Sequence, residues 1–499
     1  MIRHRRIVLL ACAFLAAASV AVPAQTLDEL DRPLLEKGRA AVALDVQVDG
    51  DESRTADIRF GTSTYYRPPL SLLPGVVAGL ARNLEFRIDI VGQVPFSYSH
   101  PSPFAWWYQR DERALLAANA SVALRPAPTL ELTAGLVLGR SRYDLAYAHS
   151  ISSNGFDRAS HRTTQVGIGV TWLPGSRGET RALRADLDGL HRPQVAPGRW
   201  RIDGEVQWRS YRQTSSYSFD TIPDFSERTA RSSDARLWAG TRYGLTRGLE
   251  AWADAYWHPA FTIGETTQSF CAYCRPPGPR TRDDSTRYRG VFGALLGTSW
   301  RIGRAEVSLA GTWERQEVAR PLNSRAFDGR ELETGSVRVD GTWLSRPPRR
   351  TVDRRALAGF DRPLVERGQV KVETGLHHRR HREAGLSVED TDTAFVWLGA
   401  ATGLSSSLEI RGQIGRRYAR DYMTRGGYEY RTTSGGQVTV RPSDRLQVEA
   451  AFDVTPRAWW DRFPMFVLGV HDSLHYYEAF ASDGPSGDRS ARLGLRLMF

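Results

Sequence analysis

The fold is decided by ten residues in which apolar and polar character alternate, Trp200-Arg201-Ile202-Asp203-Gly204-Glu205-Val206-Gln207-Trp208-Arg209. Successive side chains of a β-strand point to opposite faces, so this stretch has one apolar face and one charged face. A helix would repeat its apolar positions about every 3.6 residues, and the stretch shows no such period. It therefore predicts a two-faced strand.

The same alternation recurs along the whole chain, for example in Leu84–Ile90, Leu408–Ile414 and Val307–Trp313. An all-β chain of about 18 strands, within a range of 12 to 20, follows from this pattern. Residues Asp57–Pro68 are open to two interpretations, a further strand or part of a long second one. The predicted strands are 39–50, 71–80, 84–96, 113–126, 130–145, 161–174, 199–213, 234–244, 249–257, 289–301, 305–318, 332–345, 368–380, 393–403, 407–422, 429–442, 445–459 and 487–499.

Two short motifs occur three times in the same order. The string Arg-Pro-x-x-x-x-Gly begins at Arg32, Arg192 and Arg362. The string Gly-Leu-x-x-x-Leu-Glu begins at Gly79, Gly244 and Gly403. Self-similarity at a fixed period is the mark of repeated structural units. The chain is therefore predicted to consist of three repeats, at approximately 32–174, 192–345 and 362–499.

The N-terminus predicts export from the cytoplasm. Arg3, Arg5 and Arg6 precede the apolar stretch Ile7–Val20, and small residues end at Ala24, as in a secretory signal peptide. We expect a signal peptide at 1–24, a periplasmic segment at 25–38 and a membrane barrel at 39–499. No later run of about 18 apolar residues predicts a membrane helix. The mean hydropathy of −0.41 fits a barrel, because alternating strands cancel in hydropathy averages.

Backbone pairing explains why such strands close on themselves. Every backbone polar group in hydrocarbon must be paired, so only helices and closed barrels span a bilayer. Tight connections alternate with long ones. The long connections are predicted at Ser97–Glu112, His258–Tyr288 and Asp461–Gly487. Short turns belong in the periplasm and long loops outside, and an even number of strands then puts both termini in the periplasm. The links 175–198 and 346–367 are periplasmic by the same parity.

The last strand is the most specific part of the sequence. Leu493, Leu495, Leu497 and Phe499 alternate with Gly494, Arg496 and Met498. This segment resembles the final strand of bacterial outer-membrane β-barrels of the porin and transporter type. The resemblance implies an outer-membrane location and recognition of the terminal aromatic residue by the barrel-assembly machinery.

The polar face of the strands supplies the candidate lumen. Its charges of both signs are open to two interpretations, a weakly selective pore lining or a salt-bridged network that narrows the pore. The candidate lumen residues are Glu85, Arg87, Asp89, Arg201, Asp203, Glu205, Arg209, Glu250, Asp254, Arg338, Asp340, Lys371, Glu373, Glu409, Arg411, Gln447 and Glu449.

Other partners and sites are predicted from single features. The net charge of +11 suits outer-membrane lipid and the phosphates of lipopolysaccharide, although scattered arginines explain it better. The basic link 346–367 is a candidate docking site for a periplasmic partner, although a solvated linker explains it better. In an oxidising compartment Cys271 and Cys274 predict a loop disulfide rather than a zinc site. Neither a metal, a cofactor nor a nucleic acid is expected, and the oligomeric state is open.

Three functions are weighed. The first is passive passage of small hydrophilic or amphipathic solutes, because a barrel near 18 strands should be hollow. The second is a non-conducting structural or export-associated barrel. The third is an integral hydrolase, but no nucleophile elbow or spaced triad accompanies the histidines, so we expect no enzyme. His377, His378 and His381 are interpreted as exposed loop histidines rather than as ligands of a metal site at the outer end of a strand.

Overall fold

The chain forms one antiparallel sheet in the computed structural model. The residues described are 34–50, 65–66, 70–101, 107–149, 153–174, 194–219, 225–259, 261–271, 278–319, 330–346, 364–384, 389–421, 427–443, 445–454 and 489–499. The predicted signal peptide, most of the predicted N-terminal segment and most of both predicted links lie outside these residues. The predicted disulfide does too, because Cys274 is not among them.

Twenty segments make up the sheet. The first seven are β1 (Ala40–Gly50), β2 (Tyr65–Tyr66), β3 (Leu70–Ala81), β4 (Leu84–Pro101), β5 (Trp107–Ala127), β6 (Leu130–His149) and β7 (Ser153–Trp172). The next seven are β8 (Trp200–Phe219), β9 (Phe225–Thr246), β10 (Leu249–His258), β11 (Phe261–Cys271), β12 (Gly278–Ile302), β13 (Ala305–Ala319) and β14 (Arg330–Leu344). The last six are β15 (Val370–Ala384), β16 (Glu389–Gly403), β17 (Leu408–Asp421), β18 (Gly427–Ser443), β19 (Leu446–Val454) and β20 (Arg489–Met498).

Two strands of the barrel are interrupted, so the segments form 18 strands. Segments β2 and β3 both pair with β4, and β10 and β11 both pair with β9 and β12. Pro259 lies between β10 and β11, where it cannot donate a ladder hydrogen bond. The predicted number of strands is confirmed, and Tyr65–Tyr66 belongs to a long second strand.

The sheet closes between its first and last strands. Segment β20 pairs with both β19 and β1, with Leu495 opposite Leu44. At the end of this seam the Phe499 N–H donates to the Ala40 carbonyl oxygen over 2.8 Å. Closure removes the free edges that would otherwise expose unpaired backbone groups in lipid. The chain is therefore a closed antiparallel barrel.

Burial is reversed relative to a water-soluble protein. Large apolar side chains are exposed, for example Leu296 at 65% and Ile168 at 64%, whereas charged ones such as Glu250 are fully buried. We call the face that carries the exposed apolar side chains the apolar face, and the opposite face the polar face. Such an exterior is stable against hydrocarbon but not against water. The chain thus has the wall of a barrel whose outer face meets lipid.

Tight turns lie at one end of the barrel, the end at which Ala40 and Phe499 meet. Two residues connect β3 to β4, β5 to β6, β9 to β10 and β12 to β13. In the last of these turns Gly303 adopts a φ of 56°, which side-chain-bearing residues rarely adopt. We call this the short-turn end and the other the long-loop end.

Several strands run further toward the long-loop end than predicted. Segment β4 continues to Pro101, β9 begins at Phe225 and β12 begins at Gly278. The predicted loops Ser97–Glu112 and His258–Tyr288 were therefore wrong over most of their length. Beyond the bilayer both faces meet water, so apolar alternation ends while backbone pairing continues. The third predicted loop, Asp461–Gly487, lies wholly outside the described residues.

Aromatic side chains mark two levels of the apolar face. Trp172, Trp300 and Trp343 are exposed near the short-turn end. Trp208, Trp257 and Phe292 are exposed nearer the long-loop end. Phe292 and Trp300 lie eight residues apart on β12, or about 27 Å along the strand. Aromatic girdles flank the lipid-facing band of membrane barrels at this kind of spacing. The described residues include no helix long and apolar enough to cross a membrane.

Candidate functional site

All the predicted lumen residues lie on the polar face, at positions that alternate with exposed apolar side chains. Those that are nine-tenths or more buried are Glu85, Asp89, Asp203, Arg209, Glu250, Lys371, Glu373, Glu409 and Gln447. Those of intermediate burial are Arg87, Arg201, Glu205, Asp254, Asp340, Arg411 and Glu449, while Arg338 is exposed. The alternation of apolar and polar residues in the sequence therefore correctly assigns these side chains to the polar face.

Opposite charges two residues apart on the polar face pair along the strand. Arg201 Nε lies 2.9 Å from Asp203 Oδ2, and Arg87 Nε lies 2.7 Å from Asp89 Oδ2. Lys371 Nζ lies 2.8 Å from Glu373 Oε1. Arg338 pairs with Asp340 in the same way. Spacing by two places both side chains on one face, so each charge is neutralised within the wall.

Longer polar chains connect neighbouring strands. The Gln207 amide donates to Glu205 Oε1 over 2.6 Å, and the Gln165 amide donates to Gln207 Oε1 over 3.1 Å. Arg209 Nε donates in turn to Gln165 Oε1 over 3.4 Å. These contacts lie on β7 and β8, parallel to the wall.

Two buried histidines make side-chain contacts on the polar face, nearer the long-loop end. His258 Nε2 is 3.0 Å from Asp234 Oδ1, and both side chains are almost inaccessible to solvent. On the neighbouring strands His161 Nδ1 is 2.9 Å from the Tyr211 hydroxyl, which donates to Gln213 Oε1 over 2.8 Å. Sequence reasoning missed these contacts. Their positions on one face were readable from the alternation, but their neighbours depend on strand register.

Three large aromatic side chains of the polar face lie over glycines of the adjacent strand. A Cβ atom on Gly293 would overlap the ring of Tyr256, and one on Gly297 would overlap the ring of Trp252. A Cβ atom on Gly375 would overlap Trp397. The Tyr256 hydroxyl crosses Gly293 to donate to Glu314, two strands away. Because glycine has no side chain, each ring can lie against the backbone of the adjacent strand instead of extending toward the centre of the barrel.

The two repeated motifs contact each other at three places. Gly38, Gly198 and Gly368 have φ values of 80°, 72° and 67°. Their N–H groups donate to the carbonyl oxygens of Gly79, Gly244 and Gly403 over 2.9, 2.7 and 2.7 Å. A Cβ atom on any of these three acceptor glycines would overlap backbone carbonyl oxygens of the segment that precedes β1, β8 or β15, respectively. Glycine is therefore required on both sides of this contact.

A glutamate completes each contact. The N–H groups of Leu35, Val195 and Val365 donate to Oε2 of Glu85, Glu250 and Glu409 over 2.8, 2.7 and 2.7 Å. The three carboxylates are 3%, 0% and 1% exposed. We call each set of two glycines, glutamate and preceding segment a clasp. The sequence placed these glutamates in the lumen wall but did not indicate that each holds a backbone N–H group.

A second contact also occurs three times, across short turns. Arg125 pairs with Glu131 and Arg301 with Glu306, with nitrogen–oxygen distances of 2.5 and 2.6 Å. At the third position Arg441 donates to Gln447 over 2.5 Å. Of these six residues only Gln447 was predicted to line the lumen. An Arg before each of these turns and a Glu or Gln five or six residues later was the signal that could have found the others.

The histidines near the end of β15 lie in a strand. His377 Nε2 is 3.3 Å from Asp340 Oδ1, and His381 Nδ1 is 2.9 Å from the Thr334 hydroxyl. His378 alternates with them and lies on the other face. The described part of the chain contains no group of three or more His, Cys, Asp or Glu that could hold a metal ion.

The last strand has the predicted alternation. Leu493 and Phe499 are strongly exposed, Leu495 and Leu497 are partly exposed, and Gly494 is buried. The apolar residues of the C-terminal pattern therefore lie on the apolar face.

No protein-family model matches the chain, and no curated protein matches it. The chain is similar to the solved structure of an alcaligin outer-membrane receptor from Bordetella pertussis, with 12% identity, a TM-score of 0.44, and coverage of 94% of this chain and 77% of that one. It is also similar to the ferric yersiniabactin uptake receptor from Yersinia pestis, with 9% identity, a TM-score of 0.46, and coverage of 93% of this chain and 80% of that one. A monoaromatic hydrocarbon channel matches with 9% identity, a TM-score of 0.28, and coverage of 97% of this chain and 95% of that one.

Proposed function

We propose that this outer-membrane barrel is a channel for the passive passage of small hydrophilic or amphipathic solutes, with the polar face as the lining of a water-filled lumen. The short-turn end and both termini face the periplasm. No bond is made or broken, so the protein is not an enzyme. The wall of 18 strands supports a hollow interior, because barrels of 16 to 18 strands enclose an aqueous channel.

The observation that carries this proposal is the direction of the polar contacts. The ion pairs Arg201–Asp203 and Lys371–Glu373 lie within one strand, and Arg301–Glu306 joins adjacent strands. Arg411 reaches Glu373 over 3.5 Å, across a single intervening strand. Charges paired in this way lie along the wall, so they leave the centre of the barrel free.

Lumen charges of both signs are expected to give weak ion selectivity. Each pair described above neutralises its own charge, so these pairs do not add up to a large ring of one sign among the residues that the structure describes. A solute would then be selected mainly by its size and polarity. Binding by a periplasmic partner at 346–367 is not needed for this function.

We also propose that the chain is built from three structural repeats of six strands. The three clasps and the three contacts across short turns support this, because each set recurs at corresponding positions of 32–174, 192–345 and 362–499. The clasps hold the segment before the first strand of each repeat against the short-turn end of the barrel.

A planar-bilayer recording tests the channel. We expect the refolded barrel to give discrete, ohmic conductance steps, with a reversal potential in a salt gradient that lies close to zero because both charge signs line the lumen. A sample heated beyond unfolding is the control and should give no steps.

Folded barrel that is inserted in the bilayer and gives no conductance would contradict the proposal. It would favour a non-conducting structural or export-associated barrel. A reversal potential near the value expected when only ions of one sign pass would still indicate a channel. It would contradict a lumen lining whose charges are paired.

A further inference from the structure

Four arginines form a row across the apolar side of the barrel at the long-loop end. Arg140 of β6 lies directly opposite Arg162 of β7, which lies opposite Arg212 of β8. Arg212 lies in turn opposite Arg231 of β9. All four side chains are exposed and continue the alternation of the apolar face. The row spans about 15 Å, since neighbouring strands are about 4.8 Å apart.

The row is electrostatically unfavourable by itself. Like charges directly opposite each other on adjacent strands destabilise a sheet. Within the described part of the chain, none of the four makes an ion pair or a hydrogen bond through its side chain. On the polar face, by contrast, arginines such as Arg87 and Arg201 pair with acids. Four aligned charges with no acidic partner among the described residues therefore point to an anionic ligand.

The neighbouring rows identify the environment of that anion. One row nearer the short-turn end lie Leu138, Thr164, Ser210 and Ser233. The next row contains Leu136, Val166, Trp208 and Ala235 and belongs to the lipid-facing band. Along the wall the chemistry thus changes from apolar to mainly hydroxyl to guanidinium. Each step is two residues, or about 6.7 Å. A lipid leaflet changes from acyl chains to linkages to phosphates in the same order.

We propose that Arg140, Arg162, Arg212 and Arg231 bind the phosphate groups of outer-leaflet lipopolysaccharide. Guanidinium groups bind phosphate through two parallel hydrogen bonds, and their charge is opposite to that of the headgroup. The proposal rests on the orientation given above, in which the long-loop end faces outward, but it does not depend on whether the lumen conducts. The acyl chains then lie against Val166 and Trp208.

Arginine-to-glutamine variants test the site. The quadruple variant R140Q/R162Q/R212Q/R231Q is compared with a matched control, R82Q/R247Q/R367Q/R445Q, which removes four exposed arginines near the short-turn end. Lipopolysaccharide is titrated onto folded barrel in an uncharged detergent. We expect the quadruple variant to lose affinity on the order of 10³-fold, since each of the four basic residues near an anionic surface contributes about 1 kcal/mol. The control should stay within about twofold of the wild type.

Three further measurements decide between sources of the anion and guard against misfolding. Enzymatically dephosphorylated lipopolysaccharide should bind wild type as weakly as the quadruple variant binds the intact lipid. Inorganic phosphate at the same phosphate concentration should not compete. Lipopolysaccharide should raise the thermal midpoint of wild type but not of the quadruple variant, whose midpoint without lipid should be no lower than that of wild type.

Equal affinity of wild type and quadruple variant for lipopolysaccharide would overturn the proposal, and would leave an acidic protein surface as the partner. Equal binding of intact and dephosphorylated lipid, or full competition by inorganic phosphate, would also overturn it. If the quadruple variant fails to show heat-modifiable migration, the double variant R162Q/R212Q repeats the comparison with R82Q/R247Q.

Discussion

Removal of the three clasp carboxylates, in the variant E85A/E250A/E409A, is expected to lower the free energy of unfolding more than any other change of three side chains on the polar face. Each carboxylate accepts a backbone N–H group from Leu35, Val195 or Val365, whose side chains are themselves buried. A buried donor without its acceptor costs about 1–3 kcal/mol. The triple variant should therefore lose several times that amount, as measured by equilibrium unfolding in urea with phospholipid vesicles.

The matched control for the clasps is E85Q/E250Q/E409Q. Glutamine keeps a side-chain oxygen that accepts the same N–H group but removes the charge. We expect this variant to retain most of the stability that the alanine variant loses. If the alanine and glutamine variants are equally stable, or if neither differs from wild type, the clasps do not hold the segments as described.

The second large effect is expected from a charge on the apolar face. Leu296 is 65% exposed and lies midway between Phe292 and Trp300, the two aromatic levels on β12. Arginine at the bilayer midplane of a membrane barrel costs about 2–4 kcal/mol. The variant L296R should lose that amount of unfolding free energy in vesicles.

The adjacent residue provides the control. Leu295 lies on the polar face, so the arginine of L295R meets the lumen, and we expect a loss below about 1 kcal/mol. A loss for L295R that equals or exceeds the loss for L296R would show that the two faces are assigned the wrong way round.

The strand map was predictable because period-two alternation persists wherever one face meets lipid. The short-turn ends were placed within a few residues, since two-residue turns leave little freedom. The long-loop ends were not. Segment β12 begins at Gly278 rather than at 289, in a region where Arg280, Arg282 and Asp283 are all exposed and no apolar alternation remains.

The candidate lumen was predictable as a face but not as a set of contacts. Alternation alone assigns Glu250 to the polar face. It cannot indicate that Glu250 binds the N–H of Val195, because the two residues are 55 positions apart and meet only through the closed wall. The contacts of Tyr256 with Glu314 and of His258 with Asp234 depend on strand register in the same way. Register is set by the turns and bulges between strands, which short motifs do not encode.

The arginine row shows the same limit. Arg140, Arg162, Arg212 and Arg231 are unremarkable in sequence, where charged residues are frequent along every strand. Only the register of β6 to β9 aligns them. The surplus of positive charge is consistent with lipopolysaccharide as a partner, but scattered arginines explain that surplus better. The proposal of a phosphate site therefore rests on the alignment of these four residues and not on the net charge.

Cysteine reactivity along β13 tests the central claim most directly, since it reports which side chains meet water inside the inserted barrel. Single cysteines replace Val307, Ser308, Leu309, Ala310, Gly311 and Thr312 in turn, in a background with Cys271 and Cys274 changed to serine. A charged, membrane-impermeant thiol reagent should modify positions 308, 310 and 312 and lower the conductance, and should spare positions 307, 309 and 311. Equal modification of all six positions, or preferential modification of 307, 309 and 311, would contradict a lipid-facing apolar wall around a water-filled lumen.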